Sequence, residues 1–156
     1  MTMNRDVTII ILTHKSKNLV LNYIKNLYKK FKILIIDNSN DINLKSFLAE
    51  NYPGIDIHLI SNNGYGNQVN YGSKLVTTEY FLISNPDVRG IDSSSIDNFV
   101  KAAKELNNKF SSLGPRFLNV NPKSHKQSIN NKTISEMKFI SGACMFFNKK
   151  NFDELN

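Results

Sequence analysis

"VTIIILTHKSKNLVLNYIKNLYKKFKILIIDN", residues 7–38, holds two apolar runs with a helical pattern between them. Val7 to Leu12 and Ile33 to Ile36 carry aliphatic, mostly β-branched residues without alternation, as a strand covered on both faces requires. Between them Leu19, Tyr23 and Leu27, and Val20, Ile24 and Tyr28, recur at i, i+4. That spacing predicts an amphipathic helix over 18–30, with its lysines gathered at the C-terminal end where the macrodipole favours them. Strand, helix and buried strand in this order read as a crossover unit of a parallel sheet.

The rest of the chain continues the alternation. A short helix is expected from about Leu44 to Glu50, before the turn pair Pro53-Gly54. "IDIHLIS" (55–61) reads as the third strand. The Gly/Asn loop "NNGYGNQVNYG" (62–72) runs into a helix from about Gln68, and "EYFLIS" (79–84) reads as the fourth strand. A helix over 93–106 would bury Ile96, Phe99, Val100 and Ala103, with Ser93 or Ser94 as its N-cap. "SSLGPRFL" (111–118) suggests a further short strand, and the polar stretch 119–133 a flexible surface excursion. "FISGACMFFNK" (139–149) suggests a closing strand interrupted by Gly142. The expected fold class is therefore α/β, a three-layer α/β/α sandwich with a mainly parallel sheet, formed as one domain over residues 1–156.

Composition bounds the function. With 156 residues the chain suits a single core, and 40% hydrophobic with 21% charged residues is ordinary for a soluble globular protein. The single cysteine, Cys144, has no internal disulfide partner, which fits a reducing compartment. Nothing near the N-terminus reads as a signal peptide, and no run approaches the roughly 20 apolar residues that cross a bilayer. A cytoplasmic location is expected, or the inner face of the cell membrane. Twenty Lys and Arg against 13 Asp and Glu give a net charge of +7. That balance admits nucleic acid, an anionic membrane surface or phosphorylated small molecules as partners. The lysines are scattered and arginines number only three, so nucleic acid is not the expected partner; peripheral membrane contact or phosphate attraction remains open.

In open α/β sheets ligands bind outside the carboxyl ends of the strands. The residues just after each strand are Thr13-His14, Asp37-Asn38, Ser61 to Gly66, and Asn85-Pro86-Asp87. Asp37 can accept hydrogen bonds from a base or a ribose; equally it can cap a helix or close an Asx turn in "DNSND". Asp87 can hold Mg²⁺ or Mn²⁺, which take few carboxylates plus substrate phosphates, with Asn85 adding an oxygen; read alone, "NPD" is simply a good β-turn. The glycines at 64, 66 and 72 fit neither a dinucleotide fingerprint nor a P-loop, although they let backbone N–H groups approach a ligand. His14, His58 and His125 show no metal-ligand spacing, and of them only His14 falls by a strand end. Cys144 in "GACMFF" reads as a small buried hydrophobe, and no Ser-His-Asp or Cys-His arrangement is present.

Taken in order, "TIIILTHKSKNLVLNYIKNL", "ILIIDNSND", "LISNNGYGNQVNYG", "YFLISNPDV" and "FISGACMFFNKKNF" resemble successive blocks of family 2 glycosyltransferases with the GT-A fold. The resemblance extends over almost the whole chain and is strongest to the rhamnosyltransferase-like branch. Its block N-x-G-[FY]-[GA]-x-x-x-N-x-G is matched by Asn62, Gly64, Tyr65, Gly66, Asn70 and Gly72, and its Asn-Pro-Asp by Asn85-Pro86-Asp87. What the resemblance implies is a nucleotide-sugar donor, dTDP- or UDP-linked and of the dTDP-rhamnose kind. Thr13 and His14 would line the base pocket, Asp37 would bind base or ribose, and Asn62, Gly64 and Asn70 would floor the nucleoside. Asp87, with Asn85 beside it, would meet a Mg²⁺ or Mn²⁺ on the diphosphate, and Gly142-Ala143-Cys144 would lie toward sugar and acceptor. Transfer would be inverting, to a saccharide or lipid-linked acceptor of polysaccharide biosynthesis. The acidic block that carries the general base in such enzymes is not matched; Phe152-Asp153-Glu154 falls where the connecting helix before it would stand. The chain is thus expected to hold the nucleotide-binding half, as part of an enzyme or as a catalytically silent binding module.

Overall fold

The computed structural model describes residues 4–117 and 134–155. Five strands form one sheet: β1 (Asn4–Thr13), β2 (Phe31–Asp37), β3 (Asp56–Leu59), β4 (Tyr80–Ser84) and β5 (Cys144–Asn148). They lie in the order β3-β2-β1-β4-β5. The first four are parallel, with Thr13 opposite Asp37, Asp37 opposite Leu59 and Ile11 opposite Ser84. β5 runs antiparallel to β4, so its first residue, Cys144, lies opposite the last residue of β4, Ser84.

The helices are α1 (Lys17–Ile24), α2 (Ile42–Asn51), α3 (Tyr65–Lys74), α4 (Ser93–Glu105) and the short α5 (Lys149–Glu154). Because side chains alternate along a strand, β1 divides its apolar run between two cores. Val7, Ile9 and Ile11 pack with α1, α2 and α4 on one face, through Val20, Tyr23, Ile24, Leu44, Leu48, Ile96, Phe99 and Ala103. Ile10 and Leu12 pack on the other with Leu34, Ile36, Phe81, Ile83 and Val69 of α3, and Phe152 of α5 adds partly buried contact. Ile9, Ile10 and Ile11 have no exposed surface, and each such side chain contributes roughly 1.5–3 kcal/mol of burial. The three-layer α/β/α expectation therefore holds, with helices on both faces of a mainly parallel sheet.

One glycine sets the spacing of the second layer. A Cβ on Gly72 of α3 would stand 3.0 Å from Ile10 Cγ2 and 3.2 Å from Ile36 Cγ1. The missing side chain lets α3 press directly on β1 and β2.

Several local expectations are corrected. The first helix stops at Ile24, not at residue 30; Leu27 and Tyr28 bond back to the Ile24 carbonyl in turns, and Lys29 takes φ +66°. Lys25 still has helical torsions, but the chain continues in turns, and the left-handed Lys29 closes them before β2. The third helix starts at Tyr65 and not near Gln68, led in by Gly64 at φ +90°. The N-cap of α4 is Asp92, neither Ser93 nor Ser94: Ser95 N–H donates to its carboxylate at 2.8 Å and Ser95 Oγ accepts from its N–H at 2.8 Å. Of the strand expected over 111–118 the described part keeps one antiparallel bridge, Leu113 to Phe146; Pro115, without an N–H, cannot extend such a ladder. Gly142 does not interrupt β5 but lies in the turn before it. The excursion over 119–133, with His125, lies outside the described residues.

Candidate functional site

Strand order reverses around β1: β2 and β3 lie to one side, β4 and β5 to the other. The rim at the C-terminal ends of β1 and β4 is therefore the topological switch point, where a ligand crevice is expected. Thr13, the last residue of β1, is 3% exposed, and its hydroxyl is buried with no hydrogen-bond partner among the described residues. A buried orphan hydroxyl costs about 1–3 kcal/mol unless something bonds to it.

Beside Thr13 a hydrogen-bonded chain crosses the rim. His14 Nδ1 lies 2.8 Å from Asn38 Oδ1. Asn38 Nδ2 donates to Asn62 Oδ1 at 3.0 Å, and the Gly64 N–H donates to the same oxygen at 3.4 Å. The loops after β1, β2 and β3 are thus tied through one histidine and two asparagines. Asn38 is the link that sequence reasoning did not select; its position directly after the β2 aspartate was its only signal.

Asp37 sits behind this chain. It is fully buried, and its carboxylate accepts from Ser39 Oγ at 2.7 Å, Ser39 N–H at 3.3 Å and Asp41 N–H at 2.8 Å. Ser39 Oγ in turn accepts from the Lys15 N–H at 3.1 Å. Asp37 therefore shapes the β2–α2 loop from within, while Asp41 caps α2 through the Leu44 N–H.

On the β4 side the geometry is different. Asp87 is exposed, and its carboxylate makes no hydrogen bond or ion pair with any described residue. The backbone beneath it is held: Asn85 N–H donates to Ala143 O at 2.9 Å, and Val88 N–H donates to Asn85 O at 3.3 Å. Among the described residues no group of three or more His, Cys, Asp or Glu side chains could hold a metal by itself. The donor set hence does not fit a protein-only metal centre. One free carboxylate on a rigid turn does fit Mg²⁺ or Mn²⁺ shared with phosphate oxygens.

Two further residues close the rim. Tyr65, at the start of α3, donates through its hydroxyl to Gly142 O, joining the β3–α3 loop to the turn before β5. Partial burial raises the Tyr65 pKa above its ordinary value, so the phenol remains a donor. Asn70 lies further along α3, exposed and without a side-chain hydrogen bond among the described residues. Cys144 is fully buried, and burial pushes its thiol up to about 12, with a Ser84 hydrogen bond opposing. It is no nucleophile.

The acidic residues past β5 lie elsewhere. β5 ends opposite Tyr80, at the far end of the sheet from the rim, and α5 begins there. Asp153 is paired with Lys149, and Glu154 lies 4.0 Å from Lys150. A shallow cleft of about 520 Å³ opens at that same end, lined by Thr77, Thr78, Glu79, Asn148 and these ion pairs. Its lysines pair with acids of α5, Glu79 accepts from Asn108 Nδ2 at 3.4 Å, and the cleft shares no residue with the rim.

A parallel sheet with one reversed edge strand, helices on both faces and a polar rim at the switch point defines a nucleotide-binding α/β protein of the GT-A class. Residues 8–155 match the profile of glycosyl transferase family 2. The chain belongs to that family. Among solved structures it is similar to the mannosyltransferase PcManGT from Pyrobaculum calidifontis in complex with GDP-Man and Mn²⁺, at 15% identity and a TM-score of 0.67, covering 97% of this chain and 46% of that one. It is likewise similar to S. aureus TarS 1-349, at 14% identity and TM-score 0.67, covering 96% and 49%. The TarS structure in complex with UDP-GlcNAc matches at 15% identity and TM-score 0.66, covering 96% and 47%. At these identities the likeness is one of fold, and the chain spans about half the length of each of these proteins. No curated protein sequence matches the chain.

Proposed function

We propose that this chain binds a nucleoside-diphosphate sugar at the rim and serves metal-assisted sugar transfer. The observation that carries the reading is Asp87: an exposed carboxylate, without a partner among the described residues, on a backbone-anchored turn at the switch point of a family 2 chain. The printed complexes of similar proteins, with GDP-Man and Mn²⁺ and with UDP-GlcNAc, agree with such a donor. A bound Mg²⁺ or Mn²⁺ would offset charge on the departing diphosphate as a Lewis acid.

The protein's own part is binding and orientation. The His14–Asn38–Asn62 chain would face the nucleoside, and the Thr13 hydroxyl would find its missing partner there. Asp37 would act mainly through the loop it organises, and Asn62 and Gly64 would floor the nucleoside. We assign the donor as a dTDP- or UDP-sugar of the dTDP-rhamnose kind, on the strength of the Asn62–Gly72 and Asn85–Asp87 motifs. The transfer is inverting: the acceptor oxygen bonds the anomeric carbon as the bond to the diphosphate breaks. The acceptor would be a saccharide or a lipid-linked saccharide, reached at the inner face of the cell membrane. No helix of the described residues is long and apolar enough to cross a membrane. Asp153 and Glu154 are not placed to take the acceptor's proton, since α5 starts at the opposite end of the sheet. That placement favours a second reading, in which this stretch binds donor without transferring it.

Calorimetric titration with dTDP and UDP, with Mn²⁺ and with EDTA, tests the first reading. Mn²⁺ should strengthen binding, and Asp87→Ala should remove at least about tenfold of that gain, or 1.4 kcal/mol. Metal-independent binding, or an unchanged Asp87→Ala profile, would refute it. Sugar transfer or donor hydrolysis by the chain itself would exclude the silent module.

A further inference from the structure

Beneath the acidic turn lies a buried polar group with no part in the reading above. Ser84 is the last residue of β4 and has no exposed surface. Its Oγ donates to the Asn85 carbonyl at 3.1 Å. The same carbonyl accepts from the Val88 N–H at 3.3 Å, and the Asn85 N–H is bound to Ala143 O at 2.9 Å. A carbonyl oxygen has two lone pairs, and here both are engaged.

This carbonyl is half of the planar peptide that joins Asn85 to Pro86. The proline ring fixes the next torsion near −65°. Holding the Asn85 carbonyl thus fixes a rigid plane and a locked φ, and the next residue is Asp87. A side chain that never reaches the solvent can therefore set where an exposed carboxylate points.

The surroundings of Ser84 favour a polar purpose. Tyr23 of α1 directs its phenol toward Ser84, beside the Cys144 thiol, and is 9% exposed. The Tyr23 hydroxyl makes no hydrogen bond of ordinary geometry among the described residues. Ser84 also acts on that phenol and on the Cys144 thiol, opposing the rise that burial gives the pKa of each. Of these neighbours, the Asn85 carbonyl is the one the Ser84 hydroxyl meets at ordinary hydrogen-bond distance.

We propose that Ser84 is a positioning residue for the acidic turn, its buried hydroxyl holding the Asn85–Pro86 peptide in the orientation from which Asp87 meets a divalent cation. The inference rests on the reading of Asp87 given above, and Ser84 itself touches neither cation nor nucleotide.

Ser84→Ala keeps the packing volume and removes the bond; Ser84→Thr keeps the hydroxyl. Amide hydrogen exchange is compared at Val88, whose N–H shares the clasped carbonyl, and at Ile10 in the core. Ser84→Ala should speed exchange at Val88 about fivefold, the factor carried by one neutral hydrogen bond, and leave Ile10 unchanged. It should also cut the Mn²⁺-dependent gain in dTDP or UDP affinity by about three- to tenfold while metal-free affinity stays constant. Ser84→Thr should restore both. Unchanged exchange at Val88, equal acceleration at Val88 and Ile10, or a folded Thr variant that behaves like Ala would each overturn the proposal. Should the wild type bind nucleotide without metal dependence, the assignment of Asp87 falls, while exchange at Val88 still decides whether Ser84 holds the turn.

Discussion

β2 ends at Asp37, and its turn delivers Asp41 to cap α2; β4 runs out through Asp87, and its turn delivers Asp92 to cap α4. The two turns share a layout of apolar strand, aspartate, short link and capping aspartate, the link being Asn38-Ser39-Asn40 in the first and Val88-Arg89-Gly90-Ile91 in the second. In the first, the strand-end carboxylate is buried and bonded to Ser39 and to the N–H of the capping residue itself. In the second, Gly90 at φ +83° carries the chain away, and nothing bonds to the Asp87 carboxylate among the described residues. In the first turn the N–H groups of Ser39 and Asp41 bond to the carboxylate, whereas in the second the Val88 N–H goes to the Asn85 carbonyl. When such N–H groups fold back they consume the carboxylate; when they turn away it stays available to a ligand.

The contrast can be broken most directly by deleting each carboxylate. Asp37→Ala leaves two N–H groups and a hydroxyl without their acceptor, and should lower stability by roughly 3 kcal/mol in urea unfolding. Asp87→Ala should stay within about 0.5 kcal/mol of wild type, as a free surface group does. Equal losses would erase the distinction between the turns. A smaller effect separates clasp from cap: Asp41→Ala removes the Leu44 bond but leaves the Asp41 N–H on Asp37. It should cost about 1 kcal/mol, the usual value of an N-cap; a loss as large as that of Asp37→Ala would mean that the two act as one unit.

The smallest effect concerns pH at the second cap. The hydrogen bonds from Ser95 hold the Asp92 carboxyl below its ordinary pKa. A folded-state pKa below the unfolded one contributes stability above the unfolded value, near 3.9, and loses it as pH falls through the folded value. Because Asp92 is exposed, solvent screening keeps the contribution slight. Asp92→Asn, which still caps but cannot ionise, should be slightly less stable than wild type at pH 6, with the gap closing below about pH 4. A constant gap across that range would show that the charge contributes nothing.

The sheet was legible because its evidence is local. Val7–Thr13 and Tyr80–Ser84 are covered on both faces, and a chain covered on both faces needs unbroken apolar runs. The end of α1 was not legible, since Leu27 is buried from a turn as well as it would be from a helix and so continues the i, i+4 pattern. The cap of α4 was misplaced because three adjacent residues, Asp92, Ser93 and Ser94, are all good caps, and only the reciprocal bonds with Ser95 decide among them. The rim was legible as a set of strand ends, but not in its wiring. Nothing in "DNSND" shows that Asp37 would be enclosed and Asn38 would reach Asn62, and nothing links Tyr65 to Gly142 across 77 positions. Those are contacts between loops whose relative placement the sheet register sets.

Gly72 joins the two halves of this account. It sits seven residues after Tyr65, about 10 Å along α3. The helix is a stiff lever lying on Ile10 and Ile36, with the bare backbone of Gly72 as its fulcrum and the Tyr65 contact to Gly142 at its tip. A methyl group on that fulcrum would press on Ile10 and Ile36, side chains that belong to the core and not to the rim. The depth at which α3 sits on the sheet is thus set from inside the core, by an atom that is not there.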